Sequence, residues 1–237
     1  MTAVGICVSV AALGTACSKK PDPSNPTSTG TSGENATKVN HEEKAETNSL
    51  FLGHDGKVVQ TQTYVFDKDY YDVKEFEEFV KEKVISYNVD TSGLSYAYAD
   101  DVSQTLPAAL TSVSQKENEV LLKLTFADSK NFMEFNRLYQ DMSEEAYFEA
   151  CPVGEQSLSA YDTATKFVQA KSGDTVDAMK ALSATTEDSS KTYFIGIDFA
   201  SEIYTEGNIL YVSPNVSVNG DNFAVTDGTA KAYIVFE

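Results

Sequence analysis

The chain has 237 residues, 41% of them hydrophobic, with thirteen Phe, thirteen Tyr and no Trp, enough material for a packed core in one or two domains. Thirty-six acidic residues against eighteen basic ones leave a formal charge of −18. This excludes a nucleic-acid partner, because counterion release needs a cationic face that no Lys/Arg cluster supplies. Docking on anionic lipid through a basic patch is excluded for the same reason. A single arginine, Arg137, argues against multi-arginine clamps on phosphate or carboxylate groups.

Residues 1–16 carry no charge and hold an apolar run over 4–13. That run is too short to span a bilayer and matches the hydrophobic part of a secretion signal. Gly14, Thr15 and Ala16 then precede Cys17. This stretch resembles the lipobox of bacterial lipoproteins, with Gly14 standing where the box prefers an aliphatic residue. The resemblance implies a cleaved signal over 1–16, lipid on Cys17, and anchorage at the outer face of the cytoplasmic membrane. Two acyl chains, at about 0.8 kcal/mol per buried methylene, suffice for stable attachment.

After Cys17 the composition changes. Pro21, Pro23, Pro26, Gly30 and Gly33 lie among Ser, Thr, Asn and Lys up to residue 48. With so few apolar groups to offset ordering entropy, residues 17–48 are expected to form a disordered linker. Residues 49–237 are then the globular part, with a subdomain boundary expected near 143–157. Cys7 leaves with the signal and Cys17 takes the lipid, so Cys151 alone remains and no internal disulfide forms.

Within the globular part, residues 50–59 read as a hairpin turning at Asp55-Gly56, followed by a strand to Phe66. Val73, Phe76, Val80, Val84 and Tyr87 recur at helical spacing, predicting a helix over 73–87 capped by Asp72. Residues 94–99 alternate and are expected as a strand. A second strand is expected over 119–127. A helix over 130–139, capped by Asp128 or Ser129, then turns Phe132, Phe135 and Tyr139 inward. Further strands are expected over 163–170 and 192–199, with a short helix near 176–182. Hairpin signals at Pro214-Asn215, Asn219-Gly220 and Asp227-Gly228 break up 208–236, and 230–236 is expected as a paired strand. The expected class is α+β: two helices packed on antiparallel sheet, with a β-rich C-terminal part.

The turn His54-Asp55-Gly56-Lys57, the block from Phe66 through Asp67, Lys68, Asp69, Tyr70 and Tyr71 to Asp72, and the stretch Gly207-Asn208-Ile209-Leu210-Tyr211-Val212-Ser213 resemble a group of uncharacterised lipid-anchored lipoproteins of anaerobic Firmicutes. The resemblance implies a Gram-positive surface location and no particular activity.

Asp67, Asp69 and Asp72 with Tyr70 and Tyr71 form the densest polar constellation. Alternating carboxylates are Ca²⁺-ligand chemistry. The spacing fails an EF-hand, since Asp72 occupies the place of the sharp-turn glycine, and a helix cap is the plainer use. Tyr70, Tyr71, Tyr96 and Tyr98 are the candidate ligand-binding aromatics, for a glycan or protein if exposed and core if packed against a helix. His54 with Cys151 is a candidate nucleophile–base pair; it lacks a third orienting group. Gly93-Leu94-Ser95-Tyr96-Ala97 falls short of a nucleophile elbow, ending in Ala. The leading expectation is a non-enzymatic module binding a wall component, a glycan or a protein, with no resident cofactor. The alternative is a carboxylate-dependent extracellular hydrolase, which needs two carboxyl groups about 5–10 Å apart across a cleft.

Overall fold

The computed structural model of the chain describes residues 48–156, 165–183 and 192–237. The expected signal, Cys17, residues 17–47 of the expected linker and the first two residues of the strand expected over 163–170 lie outside the described residues.

Strands β1 (Ser49–Leu52) and β2 (Val58–Val65) form the expected antiparallel hairpin. Gly56 turns the chain at φ 78°, where a Cβ would strain the backbone. Helix α1 (Val73–Ser92) starts as expected, with Asp72 Oδ1 accepting from the Lys74 and Glu75 amides. It runs five residues past the expected end, to a left-handed cap at Gly93. The extra turn contains Asn, Asp, Thr and Ser, poor helix formers, and it persists because Asn88 is fully buried and bonded there. The expected strand at 94–99 is instead a 3₁₀ turn over Tyr96–Tyr98.

Strands β3 (Ala108–Lys116) and β4 (Glu119–Phe126) follow, then α2 (Ser129–Tyr139), capped by Asp128 through the Asn131 amide. The rest is mostly strand: β5 (Phe148–Pro152), β6 (Lys166–Gln169) and β7 (Thr175–Asp177), with α3 (Ala178–Ser183) after them. Next come β8 (Tyr193–Ile197), β9 (Ala200–Thr205) and β10 (Ile209–Val212). Last are β11 (Val216–Val218), β12 (Phe223–Asp227) and β13 (Ala232–Phe236).

Among the described residues these strands build two sheets. The first runs β11-β12-β9-β1-β2-β4-β3, and the second β5-β8-β13-β10-β6-β7. The expected α+β class is therefore corrected: the described residues are mainly β, with thirteen strands and three helices among them, and strand exceeds helix by 40% to 23%. Two causes are physical. Strand β3 reads Ala-Ala-Leu-Thr-Ser-Val-Ser-Gln-Lys and ends a sheet with most of its side chains in water, so it lacks the apolar alternation that marks a half-buried strand. Strand β1 pairs in parallel with β9, placing Leu50 opposite Ile203, a contact that no local pattern announces.

The core is continuous across both sheets. Leu50, Val58, Leu122 and Phe126 of the first sheet, Ile195, Ile234 and Phe236 of the second, Val84 and Tyr87 of α1 and Phe132 and Phe135 of α2 belong to one cluster. Side chains from both sides of residues 143–157 contribute to it. Helix α2 packs on β3 and β4 of the first sheet and on β5 of the second. The other face of the second sheet, through Phe167, Phe194, Tyr233 and Val235, is covered by Ala178, Ala181 and Leu182 of α3. Strands β8 and β13 are thus buried on both faces, which is why they read as unbroken apolar runs. Gly207, between β9 and β10, meets the end of β13 so closely that a Cβ there would lie 1.3 Å from the Glu237 carbonyl oxygen. Among the described residues no helix is long and apolar enough to cross a membrane.

Candidate ligand-binding surface

The buried positions of α1 begin only at Val80. Its first two turns, with the segment leading into them, stand at the margin of the core, and aromatic side chains gather there. Tyr64 meets Phe76 edge-on at 5.1 Å between centroids, Phe76 meets Phe66 at 5.4 Å, Phe66 meets Tyr71 at 5.1 Å, and Tyr71 meets Tyr70 at 4.8 Å. The rings form one chain from the sheet to the surface. Its outer end is open: Tyr70 is 75% exposed and Tyr71 42%.

The backbone positions this end in two steps. The Tyr71 amide donates to the Lys68 carbonyl, 3.1 Å, closing a turn, and Asp72 then caps α1. The hydroxyls of Tyr70 and Tyr71 are hydrogen-bonded, and this contact, with the charges of Tyr70 and Asp67, raises the Tyr71 pKa above its ordinary value. At neutral pH the Tyr71 ring is therefore an uncharged phenol.

The three aspartates do not share one task. Asp72 is the helix cap, and Asp67 pairs with Lys68 at 3.3 Å. Asp69 is exposed beside them. Among the described residues no group of three or more His, Cys, Asp or Glu is placed to hold a metal ion. The structure also separates the expected tyrosines. Tyr96 and Tyr98 lie on the 3₁₀ turn beyond α1, 64% and 57% exposed, and among the described residues no ring contact joins them to Tyr70 or Tyr71. Their exposure removes the reading in which they pack beneath a helix. Phe66 and Phe76, which support the open pair, carried no functional signal in the sequence beyond their apolar spacing.

His54 and Cys151 are kept apart. The His54 amide donates to Glu206 Oε2 at 2.7 Å, its Nδ1 lies 3.2 Å from the same oxygen, and its ring touches Tyr193 and Phe236. The Tyr193 hydroxyl donates to the His54 carbonyl. Cys151 stands opposite Phe194 in the β5–β8 register and packs with the cluster on the far face of the second sheet, whereas Tyr193 faces the main core. A sheet therefore separates the imidazole from the thiol. Burial, then the charges of Glu149 and Glu155, push the thiol up to about 12. At pH 8 roughly one thiol in ten thousand is then ionised. Alkylation of Cys151 by iodoacetamide in the native protein is expected to be at least about a hundredfold slower than in urea, read by mass spectrometry of the peptide containing it. Equal rates would mean that the thiol is activated after all.

Gly93 caps α1 and Ser95 opens the 3₁₀ turn, so this stretch does not present a serine at a strand-to-helix turn. Comparison with known protein families, with curated proteins and with solved structures gives no match.

Proposed function

We propose that this chain is an exported, lipid-anchored binding module. In this reading residues 1–16 are the signal, lipid on Cys17 holds the chain at the outer face of the cytoplasmic membrane, and residues 17–48 link the anchor to the binding domain. A coil of that length averages about 30 Å end to end, at roughly 5–6 Å × √n, which sets the domain within the wall layer. The Tyr70–Tyr71 corner is its contact surface, for a wall component, a glycan or a protein.

The observation that carries this reading is the open end of the aromatic chain. A tyrosine left 75% exposed contributes little to the core, whereas its ring offers a partner a large apolar area with a polar tip. Tyrosine is enriched at interfaces for this reason. His54 and Cys151, the candidate base and nucleophile, are held on opposite faces of the second sheet.

The anchor and the corner are tested separately. Cys17→Ala is expected to move the protein from the membrane fraction to the medium; retention of the variant equal to the parent would refute the anchor. Tyr70→Ala with Tyr71→Ala is expected to leave the melting temperature nearly unchanged. The same double variant should reduce retention of the full chain on wall fragments and immobilised glycans or proteins at least about tenfold, since paired exposed aromatics contribute on the order of 1–2 kcal/mol each. Undiminished retention would remove the corner from the reading.

A further inference from the structure

Five features of the corner narrow what it binds. The first is the angle between its rings. Tyr70 and Tyr71 are inclined at 62° with centroids 4.8 Å apart. A planar group, such as a sugar ring or a guanidinium, lies flat against one such ring only. A compact tetrahedral ammonium has no plane to align and approaches both.

The second is charge. From residue 67 to residue 83 seven carboxylates stand against four lysines, on a chain of net charge −18. Two of those lysines are already paired, Lys68 with Asp67 at 3.3 Å and Lys81 with Asp100 at 2.9 Å. Asp67, Asp69, Asp72 and Glu75 all remain exposed around the corner. Such a field attracts a cation and repels phosphate-bearing polymers.

The third comes from the same helix. The Lys83 ammonium sits 5.1 Å from the Phe79 centroid and 5.5 Å from that of Tyr139, so one alkylammonium is shared by two rings. Both distances fall within the roughly 6 Å over which the ring quadrupole holds a cation. The fourth is that Phe66 and Phe76 hold Tyr71 from behind, so part of the ordering cost is met before a ligand arrives. The fifth is that Tyr71, its pKa raised by its contact with Tyr70, stays a neutral phenol at physiological pH, and its face keeps the electron density that a cation seeks.

We infer that the Tyr70–Tyr71 corner takes the alkylammonium of a lysine side chain on a basic polypeptide partner, the two rings contacting the head group and the surrounding carboxylates supplying counter-charge. This deepens the reading of the corner as the contact surface and rests on it.

The test uses the full chain and three probes of similar size: blocked tetralysine, the same peptide acetylated on every side chain, and a neutral chitin tetramer. Binding is followed by amide chemical shifts. Tetralysine is expected to saturate the corner, and the acetylated peptide to bind at least about tenfold more weakly. Tyr70→Ala with Tyr71→Ala leaves the charge unchanged and is expected to weaken tetralysine about tenfold. The Tyr70→Phe, Tyr71→Phe pair, which keeps the ring faces, is expected to stay within about twofold of the parent. Met179→Ala, at an exposed site on α3, should have no effect.

Tetralysine binding that survives loss of both rings would be diffuse attraction to an acidic surface, and it would overturn the inference. Equal affinity for the acetylated peptide would overturn it also, as would an absence of tetralysine binding. Chitin binding lost in the Ala pair would overturn the cationic class while leaving the corner as the contact surface. Retention on the wall fragments, glycans and proteins above judges that surface independently.

Discussion

Asn88→Ala is expected to lower stability by about 3–5 kcal/mol, although the residue touches no part of the candidate surface. Its side-chain amide donates to the Ala99 carbonyl at 2.7 Å and the Ala108 carbonyl at 2.8 Å, and accepts from the Ala108 amide at 2.9 Å. Asn88, Ala99 and Ala108 are all 0% exposed. Truncation strands two carbonyls and one amide away from water, each at about 1–3 kcal/mol, partly relieved if a water enters the space. The bonds fasten the last turn of α1 to the first residue of β3, an edge strand, so the loss concentrates there. A urea titration checks the magnitude, and amide exchange at Ala108 checks the place. A loss below about 1 kcal/mol would mean that the site collapses or hydrates freely.

Asn88→Asp adds a pH signature. An ionised carboxylate cannot donate to either carbonyl, and burial raises its pKa in the folded state above the unfolded value. The folded protein then binds more protons than the unfolded one, so the stability of this variant rises as the pH falls. The parent, with a neutral amide, lacks this contribution.

Phe132→Ala is expected to cost about 3–5 kcal/mol, and its effect is global. The ring is 1% exposed and lies 5.0 Å from Phe148, 5.5 Å from Phe126 and 6.4 Å from Phe199. Phe126 belongs to β4 of the first sheet and Phe148 to β5 of the second, so one side chain of α2 is in contact with both. Its removal opens a cavity that rigid strands on both sides cannot close. Against a typical total of about 5–15 kcal/mol, the variant approaches unfolding. The urea midpoint should fall with an unchanged slope, and Phe132→Leu should cost about half as much. If the slope changed as well, the two sheets would be separating as independent units.

The two variants also show where sequence reading reached and where it stopped. Phe132, Phe135 and Tyr139 announce an inward helical face by spacing alone, and the structure places all three against the core. Asn88 gave no such signal, since an asparagine near a helix end ordinarily marks a cap or turn. Its role depends on Ala99 and Ala108, which the 3₁₀ turn returns to it. The corner divides in the same way. Tyr70, Tyr71 and the Asp72 cap were visible as a cluster, while the rings that support them, Phe66 just after β2 and Phe76 of α1, are brought together by folding. Tyr96 and Tyr98, grouped with them by residue type, went elsewhere because the segment holding them does not extend.

The chain's local chemistry determined its charge, its caps, the hairpins at Asp55-Gly56 and Asn219-Gly220, the N-terminal run that ends at Cys17 and the helical faces of α1 and α2. Each is set within a few residues by sterics, hydrogen-bond geometry or composition. The hairpin signals at Pro214-Asn215 and Asp227-Gly228 instead join strands of different sheets. Tertiary structure alone decided the β-dominated class, the parallel seam between β1 and β9, the separation of His54 from Cys151 and the exposure of Tyr70. Those outcomes depend on pairings between segments far apart in sequence, where hydrophobic burial chooses a partner from the whole chain and not from the neighbouring residues.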